Sequence, residues 1–277
     1  MNPKAVVASV WLIVQLVHIN VHAKEDRYNH PGGIAEISIL KESSDLPTVR
    51  YGLIEPAILD SGTKWKILIG IDLQRLPGDY LVYIRPNGED KTARFEKFQV
   101  NHKSYLFKST SSDKPMQLKE FDELSDLGFS NSQPPILPLT LPIEGDWSDE
   151  FGSLYPNAGN AETATQNHTY IDSAPRSLIK APQSGIVCKL HVSENGIAVV
   201  VIDHGRGIYS LVHGLSDLAV ELGNGVTAGA VIGKVPEKIT IKGRQSQSAS
   251  SDKSRVYWQV KLNDVFINPL LMTEISR

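Results

Sequence analysis

In the segment "NHTYID", His168 and Asp172 stand four residues apart and offer an imidazole nitrogen and a carboxylate oxygen, two donor types that zinc accepts. Such a pair is common by chance, and a loop histidine beside a turn accounts for it unless other residues join it. A second stretch with chemical content is "SRVYWQVKLN", residues 254–263. As a strand it alternates, with Val256, Trp258 and Val260 on one face and Arg255, Tyr257 and Gln259 on the other. The apolar face is core packing. The other face sets a guanidinium beside a phenol, and a strand that looks internal has to give both a partner. His213 in "LVHG" and His204 in "IDHG" add imidazoles nearby in the chain, whereas His191 in "KLHVS" reads as an exposed strand residue.

These side chains need elements to position them. From residue 142 onward "GIVCKL", "IAVVVID", "IYSLVHG", "AVIGKV" and "RVYWQVKL" read as strands, with turns such as "ENG", "GRG" and "GNG" between them. The polar insertion "GRQSQSASSDKS", residues 243–254, reads as a surface loop at the edge of the site. Residues 24–108 also carry strand patterns, in "RYGLIEPAIL", "KWKILIGIDL", "DYLVYIRP" and "ARFEKFQV", punctuated by "DSGT", "LPGD" and "PNGED". No helical period of useful length occurs there, which predicts a small β-sandwich-like domain. Residues 109–141 form a linker in which "MQLKEFDELSDLGF" can make a short helix and the proline-rich "SNSQPPILPLTLP" cannot. The expected fold class is all-β, in two domains.

The chain has 277 residues, 41% of them hydrophobic, and a net charge of −3, so it can build real cores and carries no basic field to attract nucleic acid. Residues 1–23 read as a signal peptide: Lys4, the apolar run "AVVASVWLIVQLV", then small residues in "VHA" before the cleavage point. After that cleavage no transmembrane segment is expected, and the mature protein is expected in the periplasm or elsewhere in the bacterial envelope. Cys188 is the single cysteine, so an exported chain must rely on packing rather than an internal disulfide. The sequon at Asn167 is read as chance.

The order of motifs from His168 onward resembles the M23 (LytM-type) zinc peptidases, which cut peptide cross-links in bacterial cell walls. "HTYID", "APQSGIV", "VVIDHGRGIYSLVHGLSDL", "VELGNGVTAGAVIGKV" and "RVYWQVKLNDVFINPLLM" follow the family's succession of H-x-G-x-D, A-P-x-x-G, I-D-H-G, Y-x-H-L-S, a glycine-rich hairpin and H-x-H-W. The resemblance covers residues 142–277, and "PGGIAEISI", "TKWKILIGIDL" and "LPGDYLVYI" are similar to the family's small β domain. It implies a C-terminal antiparallel sheet with an open groove. There two histidines and an aspartate would hold zinc, and two further histidines would handle protons and stabilise the tetrahedral intermediate.

Position by position, the resemblance places the first two zinc ligands on His168 and Asp172, with Tyr170 where the family has glycine. The H-x-H pair falls on Arg255 and Tyr257, so Tyr257 stands at the third ligand position. The catalytic histidine of Y-x-H-L falls on Gly214, one residue after His213. No catalytic residue is intact on this reading, and His168 and Asp172 are relics in a groove floored by Tyr170, Arg255, Tyr257 and Gln259. A regular strand turns residues 213 and 214 to opposite sides and packs His213 elsewhere; a bulge would bring its ring to the groove in place of Gly214. Arg255 cannot shed its proton, and about 4 Å from a dication it would be repelled by about 8 kcal/mol at an effective dielectric near 20. That is comparable with the roughly 10–16 kcal/mol with which structural zinc binds. Arg255 either replaces the metal by pairing with Asp172 or points to solvent.

The resulting expectation is a non-catalytic M23-like protein of the envelope, without cofactor, that binds peptidoglycan peptide or a partner such as a cell-wall hydrolase. Two alternatives stand beside it: an active zinc endopeptidase with a rearranged site, and a structural envelope protein whose groove tolerates substitution.

Overall fold

The computed structural model describes residues 28–87, 92–108, 133–156, 163–237 and 254–275. The leader, the candidate linker helix and all but Ser254 of the polar loop lie outside them.

Six strands build the N-terminal unit: β1 (Ile34–Leu40), β2 (Thr48–Arg50), β3 (Ala57–Asp60), β4 (Lys64–Gly70), β5 (Gly78–Arg85) and β6 (Arg94–Val100). They pair as two antiparallel three-stranded sheets, β1-β4-β3 and β2-β5-β6. Alternation along "KWKILIG" sorts the side chains of β4 between two cores. Trp65, Ile67 and Ile69 point between the two sheets, where they meet Ala35, Ile37, Ile39, Val82, Ile84 and Phe98. Leu68, on the opposite face, joins Ile34, Ala57 and Leu59 in a different cluster whose other members belong to the C-terminal unit.

That unit contains β7 (Leu154–Pro156), β8 (Thr163–Thr165), β9 (Thr169–Ser173), β10 (Leu178–Lys180), β11 (Gly185–Val192), β12 (Ala198–Gly205), β13 (Ile208–Leu215), β14 (Gly225–Val226), β15 (Val231–Lys234), β16 (Ser254–Leu262) and β17 (Val265–Ile267), then a 3-10 turn at Pro269–Thr273. The main sheet runs β14-β11-β12-β13-β16-β17, and β9 pairs with the other half of the edge of β16 that β17 uses. The face of β16 carrying Val256, Trp258, Val260 and Leu262 packs into the larger core with Val200, Ile202, Ile208 and Val212. The described part of the chain is therefore all-β, as its patterning predicts.

The two units are docked tightly. Asn268 donates its backbone N–H to Gly32 O at 2.8 Å, and Arg206 Nη1 donates to Ile58 O at 3.1 Å. A Cβ on Gly70 would lie 2.5 Å from Leu262 O, so only glycine permits that approach. Among the described residues no helix is long and apolar enough to cross a membrane.

Candidate functional site

Strand β16 brings the candidate residues together because it is paired on both edges. Along β9 the register sets Arg255 opposite Asp172 and Tyr257 opposite Tyr170; along β13 it sets Tyr257 opposite His213. Side chains directly opposite in an antiparallel pair share a face, so Tyr257 becomes the centre of a ring cluster. Its centroid lies 5.2 Å from His168, 6.1 Å from Tyr170 and 5.6 Å from His213.

His213 reaches this face by regular alternation along β13, whose register with β16 runs unbroken from Ile208↔Leu262 to His213↔Tyr257, and β13 then carries a bulge. Its pairing with β12 passes from Val199↔His213 to Ala198↔Leu215, leaving Gly214 as the extra residue. Gly214 has φ +92°, and a Cβ there would sit 2.5 Å from Arg255 O. The expectation that His213 packs away from the groove fails because period two sets residues 209, 211 and 213 on the groove face once Ile208 and Val212 take the core. The extra glycine returns Leu215 to the core and leaves His213 in line with Tyr209 and Leu211 on the groove face.

Arg255 turns to Asp172 rather than to solvent. Its Nε donates to one carboxylate oxygen at 2.7 Å and its Nη2 to the other at 3.0 Å. The guanidinium carbon also lies 4.0 Å from the centroid of the Tyr170 ring. The side chains keep 42% and 46% of their exposure, so the carboxylate is not deeply buried and the pair sits at the rim of the cluster. Its bonding to Asp172 raises the Arg255 pKa, against an opposing effect of burial.

The rings behind it are in a drier setting. Burial lowers the His168 pKa to about 4, with Arg255 adding to the effect. Burial likewise lowers His213 to about 4, helped by His168 and His191. Both imidazoles are neutral near pH 7. Burial raises the Tyr257 and Tyr170 phenols, so both keep their protons. Gln259 is buried, its Nε2 donating to Asn167 Oδ1 at 2.8 Å while its Oε1 has no partner among the described residues.

A carboxylate that the motifs do not flag completes the cluster. Glu150 accepts from Lys108 Nζ at 2.9 Å, from the Tyr155 hydroxyl at 3.0 Å and from the Tyr170 hydroxyl at 3.3 Å. Burial pushes its carboxyl upward, but these donors outweigh it and leave the pKa lowered. Glu150 precedes β7 in a stretch without periodicity, so nothing in its surroundings marks it. His204 stands apart from the groove. It is buried, bridging Ser184 O at 3.0 Å and Ser210 Oγ at 2.9 Å, which is a structural tie. His191 is half-buried in β11 rather than exposed. Cys188 is also half-buried, its thiol bonded to Val201 O at 3.6 Å.

As a donor set for zinc these residues do not fit. Both oxygens of Asp172 are occupied by a permanent cation, and the side chain beside His168 that should complete the set is a protonated phenol. Among the described residues no group of three or more His, Cys, Asp or Glu side chains could hold a metal ion.

Comparison with solved structures finds the same fold in a Pseudomonas aeruginosa protein assigned to peptidase M23. It is 22% identical, with a TM-score of 0.65, over 91% of this chain and 97% of that one. The catalytic domain of the antimicrobial peptidase lysostaphin from Staphylococcus simulans is 18% identical over 47% of this chain and 92% of its own, with a TM-score of 0.35. A zinc-containing peptidase from Vibrio cholerae is 9% identical over 85% of each chain, with a TM-score of 0.39. No curated protein matches the sequence. Residues 165–269 match the family model of Peptidase family M23, and this matched part of the chain, hereafter the M23 domain, holds every groove residue named above from His168 to Gln259.

Proposed function

We propose that this M23 domain binds rather than cuts, serving the bacterial cell envelope as a receptor for a peptidoglycan stem peptide or for a partner such as a cell-wall hydrolase. The observation that carries the reading is the two-pronged Arg255–Asp172 pair. M23 peptidases are typically zinc-dependent, and here a fixed cation neutralises the carboxylate that zinc would need. The groove offers rings and one exposed ion pair, the kind of surface that holds an extended peptide by stacking and charge. Export fits the same reading, since the ligands proposed are outside the cytoplasm.

A zinc endopeptidase is the second reading, and the placement of His168 and His213 on either side of Tyr257 favours it. It would require Arg255 to release Asp172 and Tyr257 to ionise against the effect of its burial. Purified full-length protein, assayed for zinc and for release of fragments from cell walls, separates the two. The receptor reading expects zinc well below one per chain, no release, and co-sedimentation with walls that Arg255→Ala and Tyr257→Ala weaken. One zinc per chain with chelator-sensitive release overturns it. Co-sedimentation indifferent to both substitutions would instead favour a structural envelope role.

A further inference from the structure

The outer face of the β2-β5-β6 sheet has no part in the groove, yet it has the features of a binding surface. The core side of these strands holds Val49, Val82, Ile84 and Phe98, which turns Thr48, Arg50, Leu81, Tyr83, Arg85 and Phe95 outward. Pairing sets Thr48 opposite Arg85, Arg50 opposite Tyr83 and Tyr83 opposite Phe95, so these side chains form one continuous surface. They line an open recess of about 690 Å³.

Two properties of this face call for an occupant. Its apolar side chains are left in water: Phe95 is 66% and Leu81 58% exposed, with the Tyr83 ring edge-to-face against Phe95 at 5.7 Å. Its two guanidinium groups have no carboxylate partner among the described residues, although the same sheet pairs its other cations, Arg94 with Glu96 and Lys97 with Asp79. Arginines beside exposed rings, with no carboxylate partner among the described residues, complement a ligand that is both flat and anionic. The recess is open rather than enclosed, so a ligand meets it as a surface.

We infer that this face is a second binding site, for a carboxylate-bearing glycan strand, with sugar rings lying over Tyr83, Phe95 and Leu81 and carboxylates held by Arg50 and Arg85. The site is independent of the groove and of its proposed role. It would let the N-terminal unit grip a polysaccharide while the M23 domain engages something else.

Full-length protein titrated with fluorescently labelled oligomannuronate, followed by anisotropy, tests the inference. Oligomannuronate should bind, more weakly as salt rises. The double variant R50A/R85A should weaken it by about tenfold or more, and Phe95→Ala by about fivefold, with melting temperatures unchanged because all three side chains are exposed. Lys180→Ala, an exposed lysine on the C-terminal unit, should change nothing. Equal binding of a neutral cello-oligosaccharide would overturn the inference. So would tighter binding of poly-L-glutamate or of vesicles containing phosphatidylglycerol, or R50A/R85A binding like the parent protein.

Discussion

Arg255 holds Asp172 through two parallel hydrogen bonds, but with nearly half of each side chain in water the pair is worth far less than a buried one. Exposed pairs contribute up to about 1 kcal/mol. Arg255→Ala should therefore lower the melting temperature by only about 2–4 °C in a chain of this size, and the loss should shrink in high salt. A drop several times larger in calorimetry would mean that the arginine also supports the rings behind it. The stronger test of the metal argument is gain rather than loss. The double variant R255H/Y257H puts two imidazoles beside His168 and frees Asp172, so it should bind about one zinc per chain where the parent should bind none. A variant that folds and stays metal-free would show that Arg255 and Tyr257 are not what excludes the metal. His204 gives a pH signature of its own. Burial lowers its pKa from 6.5 to about 4, so between these values the unfolded chain takes up a proton that the folded chain refuses. Stability must then fall as pH drops from about 6.5 toward 4, by up to about 1.4 kcal/mol per pH unit from this one group. His168 and His213 are lowered to about 4 in the same way and add to this slope, so urea unfolding at a series of pH values should show their combined effect, and His204→Gln should reduce the slope by its own share without abolishing it.

The bulge in β13 ends its run of groove-facing side chains at His213 and returns Leu215 to the core. Gly214 combines a left-handed φ with a backbone approach that leaves no room for a Cβ. Gly214→Ala should cost about 1–3 kcal/mol and loosen the pairing of β13 with β16, seen as faster amide exchange at His213 and Tyr257. Unchanged exchange would mean that the strands shift at little cost. This element also marks the limit of what patterning can reveal. Alternation along "SRVYWQVKLN" identifies the core face of β16 and the groove face opposite, because period two is intrinsic to a strand. The side on which His213 falls depends on how the alternation of β13 is phased against that of β16, and a shift of one position exchanges faces. The Glu150 cluster was hidden for a different reason. Its members come from three separate places in the chain, Lys108, then Glu150 with Tyr155, then Tyr170, and follow no motif, so only the folded molecule joins them.

At the scale of the whole molecule, the N-terminal unit is bound to the M23 domain by a core that both build. "KWKILIG" reads as an apolar strand, yet an apolar strand does not name its partners, and here alternate residues serve two cores. Leu68, fully buried, packs with Ala57 and Leu59 on the side that meets Leu262 and Ile267 of the C-terminal unit. If that surface is a true core, the units cannot unfold separately. Trp65 reports on the N-terminal sandwich, while Trp147 and Trp258, in edge-to-face contact at 5.9 Å, report on the M23 domain. Fluorescence from variants retaining one set or the other should give the same urea midpoint, as a two-state transition requires. Leu68→Ala should move both midpoints together, since truncating a buried leucine costs about 2–5 kcal/mol. A shift confined to the Trp65 signal would mean that the units merely touch, and that the arginine face on one and the groove on the other are free to move independently.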